Sequence, residues 1–410
     1  MNNTPSRKVT RVTAGVLTVA FLGFIFFAFF SMVIGNREDL AHSIQMTPEL
    51  KKTLPEHPSR LDRLSARING FTSGISEIMW HKDEMGYINS AFQYALGKKV
   101  INTGSQNMVR LNTGHLYDLN PYKDLSKNVA DIIEQRETVI KDYPFLFVYE
   151  HPTLYDPAML PQDYAALDHS AEMAGEVLSA LRSEGIPVLD IRDVLPDCGL
   201  PMNELLMFTD QHWSTLAAIV MGRAIAGRLN ELTGAGLDAA LLDPANLQTL
   251  RHEKLFMGKY GQRVGTRFIQ PDDIVEYWPA YDTAVTRDSV RGDKTEHVAG
   301  SLREAITRAD RLEPAPGKTW NTYAYTYYGQ AESYDIMVNE AAPDFTILLL
   351  KDSYSAPIGR FLSLAARRVV CLDLRQNVEP LENWLAKYPP DAVVMSYSLQ
   401  MLRDDEYQFQ

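Results

Sequence analysis

Four short apolar runs constrain this chain more than any other feature: Pro144-Phe-Leu-Phe-Val-Tyr149, Phe345-Thr-Ile-Leu-Leu-Leu350, Arg368-Val-Val-Cys-Leu-Asp-Leu374 and Asp391-Ala-Val-Val-Met-Ser396. Each is strand-length and nearly continuous in apolar residues, the pattern of a strand buried on both faces. Helical patterns fall between them, over Leu125 to Tyr143, Ser170 to Glu184 and Thr215 to Leu229, the last opened by Ser214 as N-cap and carrying Leu216, Ile219, Val220 and Ile225 on one side. Pro187-Val-Leu-Asp-Ile191 and Lys99-Val-Ile add short strands. Strands alternating with helices specify an α/β fold with a doubly wound parallel sheet and helices on both faces. Residues 245–340 break the rhythm and are expected to form a loop-rich insertion near the site.

Phe208-Thr-Asp-Gln-His-Trp-Ser214 enters the helix that starts at Thr215 and places Asp210 and His212 two residues apart. In extended or turn backbone, residues two apart point the same way, so Asp210 can accept from His212 Nδ1 and leave Nε2 free as a base. A base of this kind needs a nucleophile. Ser353 follows the Phe345–Leu350 strand, on the turn at its C-terminal end, where open α/β sheets place their chemistry. Serine attacks poorly at neutral pH without an adjacent base, and that base needs a third group to fix its tautomer. Ser353, His212 and Asp210 supply one of each and are the catalytic candidates. The Ser353 backbone N–H is the expected first oxyanion donor. His151 follows the Pro144 strand and is expected at the same sheet edge as a substrate contact; Trp213 is a second candidate contact, with burial in the core as its competing reading.

The blocks Phe-Thr-Asp-Gln-His-Trp-Ser and Leu-Leu-Lys-Asp-Ser-Tyr-Ser, in that order, resemble the two signature blocks of the DHHW family of bacterial envelope proteins, relatives of the SGNH-hydrolase-like proteins that O-acetylate alginate. Phe256-Met-Gly-Lys-Tyr-Gly-Gln-Arg-Val-Gly265, Pro271-Asp-Asp-Ile-Val-Glu-Tyr277, Val369–Arg375 and Gly114-His-Leu-Tyr117 extend the likeness over roughly residues 95 to 405. Gln211 stands where the family usually has a second His. The resemblance implies an SGNH-hydrolase-like fold and a membrane-anchored serine O-acyltransferase or carbohydrate esterase, acting in acetyl transfer onto an exported polysaccharide or cell-wall glycan or in its hydrolysis. It further implies a polytopic membrane acyltransferase as acyl donor and Arg375 as a site-lining cation.

Val12 to Ile34 runs without a charge, long enough to span a bilayer, where about 20 residues suffice. Arg7, Lys8 and Arg11 precede it, so residues 1–36 are expected to be a cytoplasmic tail and signal anchor and everything beyond to lie outside the cytoplasm. Residues 37–95 read as a stalk and lead-in, and 96–410 as the catalytic domain. With the three leading basic residues set aside, 37 Lys and Arg face 52 Asp and Glu, a charge of −15. Such an exterior disfavours polyanions, nucleic acid among them, and suits a neutral or cationic glycan better. Cys198 and Cys371 fit an oxidising compartment without specifying a bridge. No metal-ligand cluster, Walker loop or dinucleotide fingerprint is present, so neither a metal nor a cofactor is expected.

The same residues admit a second class of function. Asp and His before an N-cap also make turns, and Ser353 and Ser355 also cap helices, so a catalytically silent protein that binds glycan or scaffolds an envelope complex fits them too. Trp320-Asn-Thr-Tyr-Ala-Tyr-Thr-Tyr-Tyr328 reads as a strand of alternating burial whose exposed side can stack on sugar rings.

Overall fold

The computed structural model describes residues 82–403, apart from 103–106, 151–155, 309–310, 329–332 and 377–378, together with isolated positions between 23 and 34. Most of the expected span over Val12–Ile34, residues 37–81 of the expected stalk, and His151 lie outside the described residues. Among the described residues no helix is long and apolar enough to cross a membrane.

The chain from Asn89 onward is one compact unit. Its frame is a sheet of eight strands, in the order β5-β4-β13-β11-β12-β10-β8-β9. In chain order these are β4 (Phe145–Glu150), β5 (Val188–Asp190), β8 (Val285–Arg291), β9 (Lys294–Gly300), β10 (Tyr334–Asn339), β11 (Thr346–Lys351), β12 (Arg368–Leu372) and β13 (Ala392–Ser398). Three strands, β1 (Val100–Asn102), β2 (Asn107–Arg110) and β3 (Leu116–Asp118), form a separate antiparallel sheet; β6 (Leu247–Phe256) and β7 (Asp272–Pro279) form an antiparallel pair. The helices are α1 (Lys82–Ala95), α2 (Ser126–Thr138), α3 (Ser170–Ser183), α4 (Ile191–Asp197), α5 (Met202–Leu205), α6 (Thr215–Thr233), α7 (Lys259–Val264), α8 (Leu302–Ile306), α9 (Ala356–Leu362), α10 (Leu381–Lys387) and α11 (Leu399–Arg403).

The four apolar runs become β4, β11, β12 and β13, which with β5 make the parallel half of the sheet. Every residue of β4, β11 and β13 is buried. Because side chains alternate between faces, both faces of these strands must be covered. The wholly parallel sheet expected from the sequence is corrected by its other half: β10 runs antiparallel to β12, and β8 and β9 continue antiparallel to the edge. The loop-rich insertion is corrected with it, since 245–340 contributes five strands, three of them to the main sheet. The Lys99-Val-Ile strand also belongs elsewhere, to the small antiparallel sheet.

Helix α6 begins as its sequence requires. Ser214 caps it by accepting from the Ala217 N–H at 3.3 Å, and Gly234 ends it in the left-handed region at φ 70°. Eleven of its residues are buried, and it packs against α9, the helix that follows Ser353. Burial of α6 and of β11 therefore brings the mouth of one toward the end of the other. Cys198 and Cys371 are not joined in a disulfide; Cys371 is buried in β12, where its sulfur lies against Gly359 of α9.

Candidate active site

Ser353 stands at the carboxyl end of β11, and His212 reaches it from the turn before α6, 141 residues away in sequence. The Ser353 Oγ lies 3.0 Å from His212 Nε2, and His212 Nδ1 lies 2.5 Å from Asp210 Oδ1. A carboxylate can only accept, so Nδ1 carries the proton and Nε2 is left to accept from the serine hydroxyl. Asp210 and His212 are 2% and 7% exposed, while Ser353 is half-buried at the floor of an open cavity of about 750 Å³. Such a series can draw the proton from the serine as its oxygen attacks an electrophile.

Asp210 is ionised despite its surroundings. Burial opposes its charge, but the His212 ring beside it and hydrogen bonds from His212 and from the Lys259 and His212 amides outweigh that, so its pKa lies below the ordinary carboxylate value. The Lys259 N–H donates to Oδ2 at 2.7 Å, and the His212 N–H to Oδ1 at 3.1 Å. The ring of His212 is held between two phenols, Tyr325 at 4.6 Å and Tyr354 at 4.5 Å between ring centres. Two carboxyl groups brace the serine turn. Asp352 accepts from Tyr354 N–H at 2.9 Å and Ser398 N–H at 2.9 Å, and the Ser355 hydroxyl donates to Glu150 at 2.7 Å. Burial, with the Asp352 charge adding to it, holds Glu150 well above the usual carboxylate range.

Gly258 is required by the closeness of these parts. A Cβ there would collide with Asp210 Cβ and lie 2.6 Å from the Thr209 carbonyl oxygen, which is backbone and cannot step aside. Gly258→Ala is expected to cost about 1–3 kcal/mol of stability, the usual range for overpacking, read as a lower urea midpoint at unchanged slope. A midpoint equal to wild type would mean that the turn before α7 can retreat from Asp210.

The other expected residues fall as follows. Arg375 lines the cavity, but Asp373 takes its charge in a two-pronged pair, Nε to Oδ1 at 2.9 Å and the second nitrogen to Oδ2 at 2.6 Å. Trp213 is not a contact surface for the large cavity. It is 4% exposed and donates its Nε1–H to the Tyr354 carbonyl at 2.9 Å, tying the two turns together. The aromatic stretch after Trp320 is not a strand: Ala324–Tyr328 is a 3-10 helix, with Tyr327 and Tyr328 buried, Tyr325 on the His212 ring and Tyr323 59% exposed at the cavity. Sequence reading missed Gln262, Gln376 and Gln400, which line the cavity, and the buried Asp272. Gln376 follows Arg375 directly, and Asp272 lies inside a block already singled out, so position offered the signal that residue type did not.

Residues 152–298 match the family model described as SGNH hydrolase-like domain, acetyltransferase AlgX; the matched segment holds Asp210 and His212 but ends before Ser353. Among curated proteins none matches. Solved structures show the same fold. A DHHW family protein from Eubacterium siraeum is 16% identical at TM-score 0.57, over 75% of this chain and 94% of that one. PatB1 from Bacillus cereus, solved with a sulfonyl adduct, is 17% identical at TM-score 0.60, over 75% of this chain and 100% of that one.

Proposed function

For a chain whose residues 152–298 carry an SGNH-hydrolase-like domain of the acetyltransferase AlgX type, we propose an envelope serine O-acyltransferase that carries an acetyl group on Ser353 and passes it to a polysaccharide hydroxyl. The observation that carries the reading is the series Ser353–His212–Asp210, at 3.0 and 2.5 Å, opening on the large cavity. In the first half-reaction Ser353 Oγ attacks the carbonyl carbon of the acyl donor while its proton passes to His212 Nε2. The tetrahedral oxyanion is met by the Ser353 N–H, and His212 returns the proton to the leaving group as the acyl-serine forms. In the second, a glycan hydroxyl gives its proton to Nε2 and attacks the acyl carbon; the ester moves to the sugar, and the proton returns to Ser353 Oγ. Asp210 holds the imidazole in the tautomer that both halves need and stabilises it when charged.

Lining chemistry supports a sugar acceptor. The amides of Gln262, Gln376 and Gln400 can donate and accept toward hydroxyls, and exposed Tyr323 offers a face for ring stacking. The sulfonyl adduct of PatB1 fits the same chemistry, since a sulfonyl electrophile is captured by an activated nucleophile. Membrane attachment through Val12–Ile34, an extracytoplasmic position for the domain and a polytopic acyl donor complete the proposal. A silent glycan-binding protein would give no reason for a buried carboxylate, an imidazole and a hydroxyl to be joined in this order.

The test is chemical. Purified protein given an activated acetyl ester should release the leaving group and carry one acetyl on the peptide containing Ser353, found by mass spectrometry, and should lose it when polysaccharide is added. Absence of acetyl-Ser353 under turnover would sink the reading.

A further inference from the structure

Asp272, the first residue of β7, is 8% exposed and does not line the cavity that opens on Ser353. Its carboxylate is nonetheless fully engaged with the segment that carries Asp210. Oδ1 accepts from the Phe208 N–H at 2.7 Å, and Oδ2 accepts from the Thr209 N–H at 2.9 Å and the Thr209 hydroxyl at 2.5 Å. The Thr209 hydroxyl oxygen accepts in turn from the Gly258 N–H at 2.8 Å, and the Thr209 carbonyl from the Gly261 N–H at 2.8 Å. That last pair fixes α7 against the turn, so that the Lys259 N–H meets Asp210 Oδ2 at 2.7 Å.

We propose that Asp272 is a positioning residue for acyl transfer: by holding Phe208 and Thr209, and through Thr209 the Gly258–Lys259 amides, it keeps Asp210 aligned with His212. The proposal rests on the acyl-transfer reading above. Three donors converge on this one side chain, and a carboxylate can accept all of them while presenting no donor of its own. Electrostatics alone would not put it there. Burial pushes its pKa up to about 7, and the nearby Asp210 charge raises it too. Asp272 lines a second, smaller cavity of about 410 Å³ together with Glu204 and Asp273, which are also acidic, and Arg251 there is paired with Asp273 at 2.8 Å. The carboxyl is held in unfavourable surroundings by the geometry it supplies.

Asp272→Asn keeps the shape but turns one oxygen into a donor facing a backbone N–H. The expected result is a fall in kcat of about 10–100-fold for an activated acetyl ester, the scale of a displacement near 1 Å. KM should stay within about two-fold, and kcat is counted per site titrated by a sulfonyl electrophile so that unfolded protein does not enter. In an Asp210→Asn background the same change should cost less than about two-fold more, because its effect runs through Asp210. Thr209→Val, which removes the hydroxyl link and leaves the carboxylate in place, should lower kcat in the same direction and serves if Asp272→Asn fails to fold. A readout free of turnover is the proton NMR signal of His212 Nδ1–H, which should move in Asp272→Asn and in Thr209→Val.

Full multiplicative losses in the double variant, or an unmoved Nδ1–H signal with unchanged kcat per titrated site, would overturn the proposal. If wild type shows no acyl transfer while the Nδ1–H signal still moves, the functional reading fails and the positioning role stands.

Discussion

Ser353→Ala should give a folded chain that takes up no acetyl group and releases no leaving group beyond the solvent rate. The serine is half-buried, and the hydrogen bond that engages its Oγ is the one to His212, so its removal asks little of the fold and everything of the chemistry. His212→Ala should retain the oxygen but lose its base, with a fall of about 10²–10⁴-fold in kcat. Asp210→Asn is the more informative change. Both oxygen positions face backbone donors, so an Asn amide must give up one of them: with its oxygen toward the His212 N–H and Nδ1–H its NH₂ meets the Lys259 N–H, and with its oxygen toward the Lys259 N–H its NH₂ meets His212 Nδ1. Two donors cannot share the latter contact, and there the ring is driven to the tautomer with its proton on Nε2, pointing at Ser353. A loss approaching about 10⁴-fold is then expected with the fold intact, the size seen when a triad histidine is put in the wrong tautomer. Burst kinetics with an activated acetyl ester would measure all three variants. Equal turnover by wild type and folded Ser353→Ala would leave the series without a chemical role.

The parts of this site that could be read from the sequence are those in which side-chain type and backbone period agree. Thr346–Lys351 is apolar on both faces and reads as an inner strand; Asp210 and His212 share a side of a short turn, and Ser214 announces the helix behind them. What failed to read is polar where hydropathy expects apolar. In β8 every second residue, Val285, Arg287 and Ser289, is buried, a strand period carried by an arginine and a serine. β6 is exposed at most positions between Leu247 and Leu255, because it pairs only with β7, and so it lacks a buried face to declare it. Asp272 is hidden for the same reason, a carboxylate sitting where the pattern assigns core. The distance between His212 and Ser353 belongs to neither segment; it follows from α6 packing on α9, which no local pattern encodes.

Asp335→Ala should be the most damaging change away from the site. Asp335, on β10, is 2% exposed and stands between two buried guanidinium groups: Arg360 of α9 at 2.9 Å and Arg287 of β8 at 3.6 Å. Burial, with Arg360 adding to it, already lowers the Arg287 pKa, so the two cations repel across a carboxylate that both use. Removing that carboxylate does not restore water to them. Arg287 retains Glu296 at 2.6 Å, whose side chain is 46% exposed, and Arg360 keeps its bond to the Ile306 carbonyl at 3.2 Å, a partner without charge. Taking one partner from a buried ionic group costs about 3–5 kcal/mol, against a total of about 5–15 kcal/mol for a typical domain. Urea unfolding should therefore show a midpoint far below wild type. Asp335→Asn, which keeps one acceptor for Arg360, should fall between the two. The effect should reach the site as well, because α9 begins three residues after Ser353 and Arg360 ties it to β10. In the surviving folded fraction, acetyl uptake per molecule should drop along with stability. A midpoint for Asp335→Ala within about 0.5 kcal/mol of wild type, the range of ordinary surface changes, would mean that water or a rearranged Glu296 reaches these arginines and that the cluster does not hold α9 in place.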